Sequence, residues 1–333
     1  MGTGEGMGPV EELASQAGAT AVVVCDHGEE LLCAGQPSVT VHCRSIRKTL
    51  LGALFGRHVA SGAIDLDATL ADLGIDDSVP PSLTSEERSA RVRDLLTCRS
   101  GIYHPSNHQG EAARAALPPR GAYRPGTCFL YNNWDFNALG TILERAIGRS
   151  MFAEFADTIA GPSGMRDFNP ARQRYATQGW SEHRTYAFHI SARDLARFGQ
   201  LYLNDGRHNE RSVIPPGWVT ASTRPHTQTH RGPAYGYLWW AEHHGQLFAG
   251  TTVPAGSFAA IGMGGQFLLV MPAIDRVIAL LADPQRPGGT DRAAHRPALA
   301  KLVHHATGGA VPLASDMDLP PGPDIGTCGR QTT

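Results

Sequence analysis

The chain has 333 residues, with 29 Lys plus Arg against 31 Asp plus Glu and a formal net charge of −2. With 41 % hydrophobic residues it can bury the core of one large or two ordinary domains. The near-neutral balance argues against a nucleic-acid or anionic-membrane surface as the main partner.

The first ten residues, Met1 to Val10, carry neither a basic nor an apolar stretch, so no signal peptide is expected there. No apolar run is long enough to span a bilayer. Thr20–Cys25 reads as a strand, Asp26 to Glu30 as a turn and Leu31–Ala34 as the returning strand. Apolar residues at Ile46, Leu50, Leu54, Phe55 and Val59 have helical spacing and predict a helix from Ser45 to Ser61. The middle of the chain is helical and loop-rich, with helices expected at Ser85–Leu96, Asn137–Ala146 and Met151–Ala160. Another is expected at Ser191–Leu203, stopped by Asn204-Asp205-Gly206. Strands return at Ser257–Ile261, Gln266–Met271 and Val277–Ala282, before a closing helix at Arg292–His305. Residues 1–64 and 190–306 are therefore expected to share one sheet lobe and 65–189 to form a helical lobe, with 307–333 a mobile tail.

Six cysteines, Cys25, Cys33, Cys43, Cys98, Cys128 and Cys328, are scattered without Cys-x-x-Cys spacing. They read as the reduced thiols of a cytoplasmic protein. Cys25 and Cys33 flank the first turn and could face each other. No metal or other cofactor is signalled: His-Glu-x-x-His is absent, and Pro105 spoils a helical metal face for His104 and His108. Those two read as exposed or site-rim histidines, and the pairs His243-His244 and His304-His305 as surface residues.

Only Lys48 and Lys301 are lysine; the other basic residues are arginine. Together with 38 Gly and 23 Pro, this matches the bias of a GC-rich genome. Neither lysine follows a glycine, which excludes a phosphate-binding Gly-Lys-Ser/Thr loop. The scarcity gives weight to Ser45-Ile46-Arg47-Lys48, because 18 serines and two lysines predict only about 0.1 such tetrads by chance. Positions i and i+3 share a helix face, so the Lys48 amine can reach the Ser45 hydroxyl and act as its base. A helix N-terminus there would also offer free N–H groups to an oxyanion. Tyr131-Asn132-Asn133 follows a Pro-Gly turn and supplies a phenol that can relay protons and an amide that can bind a carbonyl. A second Tyr-x-Asn, Tyr202 to Asn204, reads as turn chemistry at a helix end. The nucleophile-elbow pattern Gly-x-Ser-x-Gly is absent.

With these elements the chain resembles the serine β-lactamase and penicillin-binding-protein superfamily, in its class C-like esterase and peptidase branch. The blocks that carry the resemblance are Ser45–Lys48, Asp94–Ile102, Pro125–Trp134, Ser191–Gly199 and Tyr235–Trp239. It implies an α/β (α+β) fold, an antiparallel sheet flanked by helices plus a helical lobe, with the site between them. It also implies Ser45 as the acyl-accepting nucleophile, Lys48 and Tyr131 as the acid/base pair, and Asn133 as the group orienting Lys48 and the substrate. A backbone N–H near Met263 would complete the oxyanion hole with that of Ser45. Tyr235 and Trp239, with Tyr237 and Trp240 nearby, would line an acyl or leaving-group pocket.

The chain departs from the family where a Lys/His-Thr-Gly edge strand is expected. Gly256 to Phe267 has neither lysine nor histidine, which counts against a penicillin or a peptide terminus unless an arginine from elsewhere substitutes. The expected activity is hydrolysis of a small-molecule ester or amide. A transacylase using an amine or alcohol acceptor is the alternative, and a catalytically silent binding protein on the same scaffold is the third.

Overall fold

The computed structural model describes residues 8–229, 232–247, 252–283 and 292–312. Eight strands form one antiparallel sheet: β1 (Ala19–Asp26), β2 (Glu29–Gly35), β3 (Thr227–Gln228), β4 (Ala234–Tyr235), β5 (Trp240–Ala241), β6 (Phe258–Gly262), β7 (Gln266–Met271) and β8 (Arg276–Ala282). Their spatial order is β2-β1-β8-β7-β6-β5-β4-β3, so the first strand of the sheet pairs with its last. The β1–β2 hairpin turns at His27 and Gly28, both with positive φ, which suits the twist of an antiparallel pair. Glu29 and Glu30 lie on the edge strand, where charge discourages pairing with another chain.

In β7 every residue is buried, and in β8 every residue after Arg276, so both faces of the sheet centre are covered. That is why these segments read as continuous apolar runs rather than alternating ones. Helix α1 (Gly8–Gln16) packs on β1 and on α5 (Arg292–Ala306), while α4 (Ala192–Leu203) packs on β1, β7 and β8. Helix α2 (Ile46–Ala60) is buried all round from Ile46 to Gly56 and touches β6, β7 and α3 (Asn133–Ile147). Gly56 allows this, since a Cβ there would meet the Trp218 indole at 2.4 Å.

Several expectations are corrected. Ser85–Leu96 is not one helix but a 3₁₀ turn at Glu87–Ser89 and a short helix at Val92–Leu96, separated by extended Ala90 and Arg91. The Asp94 carboxylate accepts the Arg91 N–H at 2.9 Å and starts the second piece afresh. Helix α3 begins earlier than its apolar spacing suggested, because the Asn132 side chain accepts the Trp134 N–H at 3.1 Å and caps it. Met151–Phe155 is α-helical and passes into a π turn at Ala156–Ala160. Strands β3, β4 and β5 have only two residues each, too short for a periodic pattern. Across the first hairpin Cys25 pairs with Glu30 and Cys33 with Val23, so the two free thiols are not cross-strand partners. Cys43 and Cys98 are also free, whereas Cys128 is disulfide-bonded, against the expectation of reduced thiols throughout. No helix among the described residues is long and apolar enough to cross a membrane. Residues 313–333 of the expected tail lie outside the described residues.

A fully buried carboxylate ties the helical segment together. Asp77 accepts from Trp134 Nε1 at 2.9 Å, Ser181 Oγ at 2.5 Å and the backbone N–H groups of Val79 and Glu182, both at 3.1 Å. Burial alone would raise its pKa, but these hydrogen bonds outweigh it and hold the carboxyl below its ordinary value. Asp77→Ala should cost about 3 kcal/mol in urea denaturation, because it strands several buried donors. A group with a lowered folded pKa stabilises above its unfolded value and loses that contribution as pH falls through the folded one. The gap between wild type and Asp77→Ala should thus be full at neutral pH and shrink below about pH 4.

Candidate active site

Ser45 is the N-cap of α2, and Lys48 stands one turn in, on the same side. Lys48 Nζ lies 2.9 Å from Ser45 Oγ and 2.7 Å from Tyr131 Oη, so one amine bridges the two hydroxyls. Lys48 is 3 % exposed, with Nζ 4.3 Å from the ring centres of both Tyr131 and Phe136. Burial, reinforced by the Arg47 guanidinium, holds its pKa well below the ordinary lysine value. Burial also raises the Tyr131 phenol above its ordinary value, although a hydrogen bond with Ser45 opposes this. Both shifts favour the uncharged forms.

Tyr131 comes from a segment more than eighty residues away in sequence and is held on both sides. Leu130 N–H donates to the Cys98 carbonyl at 2.8 Å, and Asn132 Nδ2 to the Ile102 carbonyl at 2.6 Å. The intervening Gly101 has φ +70°, and a Cβ on it would lie 2.6 Å from the Tyr123 carbonyl, so only glycine lets these loops close. Trp240 stacks on the Tyr131 ring at 5.6 Å, and Tyr235 meets it edge-on at 6.1 Å. These rings form the apolar wall that desolvates the amine and the phenol.

The end of β6 approaches Ser45 through the residues that precede it. A Cβ on Gly262 would lie 2.9 Å from the Cys43 carbonyl oxygen and 3.3 Å from Arg44 Cβ, just ahead of Ser45. Gln266 Nε2 donates to the His42 carbonyl at 3.0 Å and pins the same approach. Met263 stands between them in the β6–β7 turn, with a side chain 48 % exposed.

Two of the expected site residues make other contacts than those expected. Asn133 Nδ2 donates to the His108 carbonyl at 3.2 Å instead of holding Lys48, because Asn133 opens α3 and faces the neighbouring loop. Trp239 is fully buried against Tyr202 at 4.6 Å and Phe258 at 5.0 Å, so it belongs to the core. Adjacent residues point to opposite faces, and it is Trp240 that turns toward Tyr131. Tyr202 packs in the same core cluster, and Lys301 is exposed on α5. His104 is 1 % exposed and bonded to the Val79 and Pro105 carbonyls, contrary to the rim position expected of it, while His108 is exposed. Sequence reasoning missed Phe136, Arg47 and His42 as neighbours of the nucleophile. Arg47 is adjacent to Lys48, and Phe136 stands three residues beyond Asn133.

The family model described as Beta-lactamase matches residues 10–303. The fold is that of the β-lactamase and penicillin-binding-protein-like proteins. The chain belongs to the beta-lactamase family. An uncharacterised protein of Alkalihalophilus pseudofirmus is 22 % identical over 258 residues, 71 % of each chain. Among solved structures, a putative 6-aminohexanoate-dimer hydrolase from Bacillus anthracis is similar at TM-score 0.66 and 19 % identity, over 89 % of this chain and 80 % of that one. A penicillin-binding protein homologue from Caulobacter crescentus is similar at TM-score 0.64 and 17 % identity, over 92 % and 99 %. EstCE1, a hydrolase with promiscuous acyltransferase activity, is similar at TM-score 0.62 and 15 % identity, over 88 % and 97 %.

The close fit at Gly262 makes a prediction about the site rather than about stability alone. Gly262→Ala should push back the Cys43–Arg44 backbone and slow acylation of Ser45 by an activated ester about tenfold or more, since small misplacements of a nucleophile are costly. Stopped-flow release of the leaving group measures it, with circular dichroism confirming the fold.

Proposed function

We propose that this protein is a serine hydrolase that forms an acyl-enzyme on Ser45 and releases it to water, acting on a small-molecule ester or amide. The observation that carries this reading is the bridge made by one buried amine between Ser45 Oγ and Tyr131 Oη. A lysine whose pKa is held well below the ordinary value is more readily the free amine that can take the serine proton.

In the first step Ser45 Oγ bonds to the substrate carbonyl carbon while its proton moves to Lys48 Nζ. The negative charge gathers on the carbonyl oxygen, toward the Ser45 N–H at the helix start and the N–H groups of the Gly262–Gly265 turn, with Met263 the expected donor. As the ester or amide bond breaks, the Tyr131 hydroxyl gives its proton to the departing alcohol or amine and regains one from Lys48. Water then attacks the acyl-enzyme, loses a proton to the same pair, and Ser45 recovers its hydroxyl as the acid leaves. The raised pKa of Tyr131 supports a phenol in this role, and the lowered pKa of Lys48 supports the amine as the first base.

A fluorophosphonate should add one label per chain by intact mass, and Ser45→Ala should take none. An equal adduct on that variant would remove Ser45 as the nucleophile. Lys48→Ala should slow acylation about a hundredfold or more. Because the reactive form is the free amine, the acylation rate should rise with pH to a plateau, with a midpoint well below the ordinary lysine value of 10.5. Chasing the acyl-enzyme with amines and alcohols separates hydrolysis from transfer: faster loss of the acyl group to an acceptor than to water would make the protein a transacylase.

A further inference from the structure

The turn that presents Tyr131 is braced by a buried carboxyl that the acyl-enzyme chemistry does not use. Asp135 lies in the first turn of α3 and is fully buried. Its Oδ1 accepts from Ser100 Oγ at 2.6 Å and from Asn132 Nδ2 at 3.4 Å. Ser100 Oγ in turn accepts the Ile102 N–H at 3.1 Å, and Asn132 Nδ2 also donates to the Ile102 carbonyl at 2.6 Å. The four residues close a ring, with Ile102 at one end and Asp135 at the other. Ser100 and Asn132, its two arms, are each 2 % exposed, so water does not compete for these bonds.

Asn132 directly follows Tyr131, and on the other side the Leu130 N–H is bonded to the Cys98 carbonyl. The stretch from Cys98 to Ile102 thus grips both neighbours of Tyr131, and Asp135 ties that stretch to α3. Phe136, the next residue along, packs on the Tyr131 ring at 4.8 Å. Asp135 Oδ2 is buried without a hydrogen-bond partner, and among the described residues no cation lies at ion-pair distance from the carboxyl. An ionised carboxylate so placed would be costly. Burial raises its pKa well above the ordinary carboxyl value, Ser100 opposes this, and Asp94 reinforces it. The uncharged form also suits the site. Cys98 interacts with the charges of both Asp135 and Lys48, so a negative Asp135 would share the dry interior of the amine and favour its protonated form.

We propose that Asp135 is a positioning residue for Tyr131, holding its hydroxyl at the Lys48 amine through Ser100 and Asn132 so that the phenol can protonate the leaving group. The inference rests on the Ser45 acyl-enzyme reading and adds a residue that acts only through Tyr131.

Two esters with one acyl group test it. Phenoxide is a more basic leaving group than p-nitrophenoxide and leans more on a proton from Tyr131, so kcat/KM is compared for phenyl acetate and p-nitrophenyl acetate. Asp135→Ala should lose about tenfold or more with phenyl acetate and about threefold or less with p-nitrophenyl acetate. Ser100→Ala cuts one arm of the ring and should show the same selective loss, which keeps the test decisive if Asp135→Ala fails to fold. In a Tyr131→Phe background either change should cost no more than about twofold, because the group being positioned is gone. Asp135→Asn retains an acceptor for Ser100 and carries no charge. It should stay within about threefold of wild type with both esters and leave the midpoint of the pH–rate profile unmoved.

An equal loss with the two esters, a loss that persists without the Tyr131 hydroxyl, or an Asp135→Asn variant as slow as Asp135→Ala overturns the proposal and leaves the nucleophile standing. A shifted midpoint in Asp135→Asn overturns it as well, since Asp135 would then act through charge. Equal turnover by wild type and Ser45→Ala, including none by either, removes the nucleophile assignment and the positioning role with it.

Discussion

The site depends on keeping one amine dry. Lys48 is useful beside Ser45 only if it is uncharged, and an exposed lysine at neutral pH is almost entirely protonated. The fold withdraws it from water by surrounding Nζ with Tyr131, Phe136 and the helix that carries it. A cation, Arg47, stands next to it and pushes its pKa the same way. A carboxylate in that position would undo both effects by holding the proton on the amine. The absence of any carboxylate among the groups acting on Lys48, where only the Cys98 and Cys43 thiols oppose the shift, is therefore as much a part of the arrangement as the hydroxyls are.

That requirement explains how the chain is divided. Helix α2 carries Ser45 and Lys48 and is itself buried on all sides, so their separation is local and rigid. Tyr131 comes from the helical segment, where the Cys98 and Ile102 carbonyls hold the residues on either side of it. The third contribution comes from the sheet, where Gly262 brings the end of β6 against Cys43 and Arg44. Three distant stretches thus meet at one hydroxyl. Asp77, bridging Val79, Trp134 and Ser181, stiffens the segment that presents Tyr131.

The edge strand from Gly256 to Phe267 has no lysine or histidine. The structure instead puts two arginines, Arg44 and Arg47, on either side of Ser45 at the start of α2, with Arg44 Nε and Arg47 Nη1 buried and without a hydrogen-bond partner. The Arg47 guanidinium also lowers the Lys48 pKa.

The sequence by itself determined the chemistry on offer. Ser45 and Lys48 are three residues apart on one helix, a relation that local geometry settles, and lysine scarcity singled them out. The core strands of the sheet were legible because buried β-strands are written as continuous apolar runs. Tertiary structure decided what local pattern cannot encode. Strands of two residues have no period, so β3 to β5 emerge only through pairing with longer neighbours. Asn133 lies next to a helix cap, and its side chain goes to the nearest free carbonyl, that of His108, rather than to Lys48. Trp239 and Trp240 are indistinguishable as neighbours in a sequence, but the bend that leads into β5 sends one into the core and the other onto Tyr131. The pKa of Lys48 likewise has no sequence signal, because it depends on which distant rings and charges exclude water from a single nitrogen.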